Sequence, residues 1–141
     1  YRELTGNEPR VAYLSFSTNG SAAGELVEKV QKAVELAKPR FAEKGIPMDG
    51  ELQFDAAIAP AVGRLKNPDG TIQGNANVFI FPDLQAGNIG YKIAQRLGGA
   101  TAIGPNLQGL AKAMNDLSRG CYAEDIVGTI CVTLLQSVTK R

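Results

Sequence analysis

Val11-Ala12-Tyr13-Leu14-Ser15-Phe16 is an almost unbroken apolar run, and Asn77-Val78-Phe79-Ile80-Phe81 is another. A short run of this kind leaves no polar face for water, so it marks a strand covered on both sides. Each run is followed by a turn and then by a segment with helical spacing. Strands that alternate with helices in this way predict an α/β fold with a largely parallel sheet. The first ten residues are polar, with Gly6 and Pro9, and read as a loop or a fraying end.

Between the two runs the spacing predicts a helix over residues 24–38, with Leu26, Val30, Ala33 and Ala37 as its stripe and Val27 and Val34 at the flanks. Pro39 ends or bends it. Residues 50–55 alternate as a short strand, and 56–62 permit a short helix that Pro60 limits. Asp55 caps that segment or faces a cleft. Residues 64–74 carry Asn67-Pro68-Asp69-Gly70 and read as an exposed loop. A helix over 89–97, with Ile89, Ile93 and Leu97 on one face, closes at Gly98. Asp83 and Asn88, at the turn before it, read as caps or as ligand-facing groups. Residues 100–103 are a short strand candidate, and 107–115 fit a loop with a short strand near Met114. The last helix presents Ala123, Val127, Ile130 and Leu134, widened by Ile126, with Cys131 as a packing residue.

With 141 residues, one domain is the expectation, and 44% hydrophobic against 21% charged residues is enough to build a core. A formal charge of +1, with Lys and Arg spread along the chain, gives no reason to expect nucleic acid or an anionic membrane surface. No apolar run reaches a membrane span, and the start shows no charged-then-apolar leader. Two cysteines make no disulfide framework and have no metal spacing, so reduced thiols and a cytoplasmic location are expected. The chain contains no His, which removes Ser-His and Cys-His catalysis and makes a zinc site unexpected.

Two stretches carry chemistry. Ser17-Thr18-Asn19-Gly20-Ser21 follows the first strand, where open α/β sheets bind ligands, and its hydroxyls and turn amides suit phosphate oxygens. The simpler reading, slightly favoured, is that Ser21 only caps the next helix. Asn115-Asp116-Leu117-Ser118-Arg119-Gly120-Cys121 then runs into Asp125. Unpaired N–H groups at a helix start, with Arg beside them, suit an oxyanion, and Asp125 stands near as a base. On spacing alone the simpler reading is favoured: Ser118 caps the helix, Arg119 pairs with Asp116, and Asp125 complements the dipole.

Longer blocks decide more. Val78-Phe79-Ile80-Phe81-Pro82-Asp83-Leu84, Gly87-Asn88-Ile89-Gly90-Tyr91-Lys92 and Gln95-Arg96-Leu97-Gly98-Gly99 closely resemble the phosphate acetyltransferase family. Ala102-Ile103-Gly104-Pro105, Gly109-Leu110-Ala111-Lys112 and the Asn115 to Cys121 block with Asp125 do so too, in order. The segments around Ser17 and Phe54 fit the same pattern. The resemblance implies a three-layer α/β fold related to the isocitrate and isopropylmalate dehydrogenases. It implies acyl transfer between acetyl phosphate and coenzyme A, with coenzyme A as a substrate and no metal or redox cofactor. It makes Asp125 the candidate base for the CoA thiol, Ser118 a donor to the reacting acyl group and Arg119 a holder of anionic substrate. Ser17, Thr18, Asn115 and Cys121 are the candidate substrate-binding residues. A base that serves a thiol must be partly desolvated.

Family members are usually about twice this long, so the chain resembles their C-terminal portion. Residues 1–105 would form an α/β lobe, and 106–141 the active-site loop and a final helix that would pack on an N-terminal lobe absent from this chain. The family's further substrate arginines lie in that lobe. An apolar helix face without its partner promotes association, so a homo-oligomer, a dimer in the simplest case, with weak or no turnover is expected. A phosphate butyryltransferase, or a non-catalytic domain that binds CoA or phosphate or forms a subunit contact, are the alternatives.

Overall fold

The computed structural model describes residues 1–138. The chain divides into two compact units, one of Tyr1 with Asn7–Gly87 and the other of Arg2–Gly6 with the residues from Asn88 onward. The sequence-based boundary after residue 105 lies inside the second unit.

In the first unit, β1 (Val11–Leu14), β2 (Met48–Leu52) and β3 (Val78–Ile80) form a parallel sheet in the order β2-β1-β3. Val11 faces Met48 on one side and Val78 on the other. The α/β reading and its parallel sheet hold. The apolar run of β1 is buried as its composition requires, and Ala12, Leu14 and Leu52 join Ala57 and Ile72 in the core. β3 is only half-buried, not covered on both faces.

Helix α2 (Glu25–Glu43) lays Val27 and Val30 on the sheet, while Leu26 is 65% exposed. The expected stripe holds at Val30, Ala33 and Ala37, and only at its start does Val27 take the place of Leu26. Pro39 does not end the helix, which continues to Glu43. Its stop is Gly45, in the left-handed region at φ 63°, where the Gly45 and Ile46 N–H groups donate to Ala42 O and Phe41 O.

β2 starts earlier than predicted, at Met48, and Asp55 lies in the first turn of helix α3 (Phe54–Ile58). Gly50 lies against β1 and α2: a Cβ there would meet Tyr13 Cβ at 2.6 Å and Val34 Cγ2 at 2.8 Å. Pro60 opens the next helix, α4 (Pro60–Lys66), at a position that needs no N–H donor.

The segment after α4 is a loop as expected, with Pro68, Asp69 and Thr71 exposed, but it is anchored into the core. Ile72 and Asn67 are buried, and the Asn67 Nδ2 donates to Asp49 Oδ2 and to Ile72 O, both at 2.8 Å. The Asn19 amide donates to Asn67 Oδ1 at 2.8 Å. A side-chain amide replaces the solvent that a Gly- and Asn-rich stretch would otherwise need.

In the second unit, α1 (Arg2–Thr5) shows that the chain start is not all loop, and it packs on α6 (Ala123–Val138). Helix α5 (Leu84–Arg96) begins in the first unit, where Asp83 Oδ1 accepts the Ala86 N–H at 2.8 Å as a cap. Gly99, at φ 67°, is the left-handed residue after α5. Among the described residues the expected strand at 100–103 does not form; an antiparallel bridge joins Asn106 to Asn115. Ile89, Ile93 and Leu97 are 58%, 54% and 85% exposed, and Val127, Ile130 and Leu134 of α6 are 61%, 54% and 61% exposed. The apolar faces exist as predicted, but in this chain they are uncovered. Cys131 is exposed, against the expectation that it packs. Among the described residues no helix is long and apolar enough to cross a membrane.

Candidate active site

The 118–125 segment builds its own scaffold. Ser118 opens a tight turn in which the Cys121 N–H donates to Ser118 O at 3.0 Å and the Gly120 N–H to Ser118 Oγ at 3.3 Å. Ser118 is thus not the cap of α6. Tyr122 takes that position, and Asp125 Oδ2, in the first helical turn, accepts the Tyr122 N–H at 2.8 Å, the backward half of a capping box. The carboxylate is placed by local chemistry and kept half-buried.

Ser118, Cys121 and Asp125 line one hollow together with Lys92 and Arg96 of α5. Its volume is about 30 Å³, enough for a water but not for a phosphate in this conformation. Arg96 ties α5 to the turn: Nη1 donates to the Tyr122 hydroxyl at 2.9 Å and Nη2 to Gly120 O at 3.3 Å, with the guanidinium 5.2 Å from the Tyr122 ring centre. A carboxylate, a hydroxyl, a thiol and two cations therefore share one small space.

The other candidates lie elsewhere. Arg119 is exposed, does not line the hollow and makes no ion pair with Asp116 among the described residues. Asn115 is turned inward: Nδ2 donates to Thr133 Oγ1 at 2.9 Å and Gln136 Oε1 at 2.7 Å, and Oδ1 accepts the Leu107 N–H at 2.9 Å. It pins the preceding loop to α6. Beside it, Met114, Leu117, Ile126, Ile130 and Leu134 line an open, mostly apolar groove of about 480 Å³.

Ser17 and Thr18 belong to the first unit and are buried. The Ser17 hydroxyl donates to Glu51 Oε1 at 2.9 Å, and Thr18 Oγ1 accepts the Gln53 N–H at 2.9 Å. Glu51 is itself buried. Burial pushes its pKa up, but the Gly20 N–H, its own backbone N–H and the hydroxyl of Ser17 outweigh that and hold it below the usual carboxylate range. Asp55 is exposed and paired with Lys66 Nζ at 2.8 Å, which lowers its pKa. It caps nothing but its own neighbour, Ala56, whose N–H it accepts.

Reasoning from sequence passed over Arg96 and Glu51 as site residues. The signal for Arg96 is faint, a basic residue in the last turn of α5 whose partners lie 24 and 26 residues away. Glu51 had a clearer one, a carboxylate in a strand that alternates around it.

The family model for phosphate acetyl/butaryl transferase matches residues 1–134. The chain belongs to that family. It is 57% identical over 136 residues to a phosphate acetyltransferase of Clostridium acetobutylicum, covering 96% of this chain and 40% of that protein. The Bacillus subtilis phosphate acetyltransferase is 57% identical over 131 residues, with 93% and 40% covered. A solved phosphotransacetylase from Streptococcus pyogenes superposes with a TM-score of 0.87 at 51% identity, covering 97% of this chain and 41% of that one. The chain therefore spans about 40% of the length of the curated relatives it matches.

Proposed function

We propose that this phosphate acetyl/butaryl transferase chain carries part of a site for acyl transfer between acetyl phosphate and coenzyme A. The observation that carries the reading is the hollow where Asp125, Ser118, Lys92 and Arg96 meet. A thiol with a pKa of about 8.5 needs a base to attack at neutral pH. Asp125 accepts the CoA thiol proton, and the thiolate sulfur attacks the acetyl carbonyl carbon. The bond from that carbon to the phosphate oxygen then breaks, and phosphate leaves with the electron pair. Ser118 donates a hydrogen bond to the acyl oxygen as charge develops on it. Arg119, Lys92 and Arg96 hold the departing anion, for which the hollow must widen. No metal or redox centre takes part in this scheme.

The uncovered apolar faces of α5 and α6 support a homo-oligomer, a dimer in the simplest case. A second reading is a CoA- or phosphate-binding or subunit-contact domain without turnover. Acyl length is open as well: a butyryl phosphate substrate would change affinity by about 1–3 kcal/mol per methylene, so a chain-length series separates the two acyl groups.

The test is an assay of acetyl-CoA formation by this chain, with Ser118→Ala as control and amide NMR following a CoA titration. Turnover lost in the folded variant supports the transferase. Shifts at residues 118–125 without turnover select the binding domain. No shift at millimolar CoA refutes both readings.

A further inference from the structure

Lys92, Arg96 and Asp125 line one small hollow, and all three belong to the second unit. Opposite charges in so little space attract, and an Arg beside a carboxylate favours a bidentate pair. Yet among the described residues neither Lys92 nor Arg96 forms an ion pair with Asp125. Each group has another partner instead. Asp125 Oδ2 accepts the Tyr122 N–H at 2.8 Å. Arg96 Nη1 donates to the Tyr122 hydroxyl at 2.9 Å, and the guanidinium stands 5.2 Å from the centre of the same ring. Arg96 Nη2 donates to Gly120 O at 3.3 Å. Lys92 Nζ stands over Tyr91, 4.9 Å from its ring centre. A ring face attracts a cation without neutralising it, so both cations keep their charge for an anion that enters. A guanidinium has several N–H donors, and the bonds to Tyr122 and Gly120 leave some to spare.

Tyr122 is therefore tied to both opposites. Its backbone holds the carboxylate, and its side chain holds the guanidinium. The two ties can be separated by substitution, because Phe keeps the backbone N–H and the ring but loses the hydroxyl. Tyr122 is 59% exposed and does not line the hollow itself, so neither the fold nor the shape of the hollow depends on its hydroxyl.

We propose that Tyr122 is a positioning residue that keeps Arg96 off Asp125, so that the carboxylate remains a base and the guanidinium remains available to an anion. This inference rests on the acyl-transfer reading for the use of the two groups and deepens it. Without the hydroxyl, Arg96 turns onto Asp125, and each charge neutralises the other.

Two measurements on the whole chain test this, with Tyr122→Phe, Asp125→Asn and the double variant. Asn keeps an oxygen for the Tyr122 N–H, so the turn is retained. The first measurement needs no ligand and follows the Arg96 Nε–H signal by NMR. Asp125→Asn is expected to move that signal at least about threefold further in the Tyr122→Phe background than in the parent, because only there do the two groups touch. Equal movement in both backgrounds overturns the proposal. The second is a titration with inorganic phosphate, read on the amides of residues 118–125. Tyr122→Phe is expected to weaken phosphate at least about fivefold, while Asp125→Asn and the double variant differ by less than about twofold. A weakening that persists in the double variant marks a merely structural role and refutes the assignment. Silence of residues 118–125 under both phosphate and CoA refutes the acyl-transfer reading, and the Nε–H comparison then still decides whether Tyr122 keeps the two charges apart.

Discussion

Ile72 lies in a stretch whose composition reads as exposed loop, yet it has no exposed surface and packs with Ala12, Leu14, Leu52 and Ala57. Ile72→Ala removes three carbons from that cluster. At about 0.8 kcal/mol per buried methylene, the transfer loss alone is about 2.4 kcal/mol. The void left in a packed core adds to it, so a loss of about 3–4 kcal/mol is expected, within the range of about 2–5 for such truncations. The bond from the Asn67 side-chain amide to Ile72 O survives, so the effect reports the Ile72 side chain. Urea unfolding followed on the amides of the first unit measures it, with Leu65→Ala as reference, because Leu65 is 80% exposed. A surface site should change stability by less than about 0.5 kcal/mol. If Ile72→Ala costs less than about 1 kcal/mol, the segment does not fold into the core as described.

Asn67→Ala takes one hydrogen-bond partner each from the Asp49 carboxylate, the Asn19 amide and the Ile72 carbonyl, and should cost at least about 2 kcal/mol in the same assay. Glu51 has a depressed pKa in the folded chain, so its contribution is complete above its unfolded value of about 4.5 and is lost as pH falls through the folded value. Glu51→Gln should flatten the acid limb of the stability curve between those two values; an unchanged limb would mean that the carboxylate does not depend on its donors. Leu134→Glu, on the uncovered face of α6, should shift sedimentation of the chain toward monomer; a parent chain that is already monomeric at high concentration would remove the basis for self-association.

Elements with a local signature were legible in the sequence. The apolar run of β1, the period of α2 and the acidic first turn of α6 all announce themselves within one turn or one strand. The errors have a common cause. Pro39 and Asn67 show it: the propensity of each misleads because other residues decide, Gly45 stopping α2 and Asp49 and Asn19 holding Asn67. The site divides in the same way. Ser118 and Asp125 lie in one sequence block and reach one hollow. Arg96 joins them only through folding, and the hydroxyls of Ser17 and Thr18 turn inward because a carboxylate in another strand claims the first and the Gln53 backbone the second.

The strand order has a consequence for synthesis. The central strand is the first to be made, while its outer neighbours pair at Met48 and Val78. At about 5–20 residues per second, the residues between Val11 and Val78 take about 3–13 s to emerge, and β1 waits that long with at least one open edge. An apolar strand with a free edge invites foreign pairing. Ribosome-bound chains halted before Asn77 should therefore retain a holdase chaperone that chains halted after Gly87 release, so the nascent protein is vulnerable at a segment that later becomes part of its core.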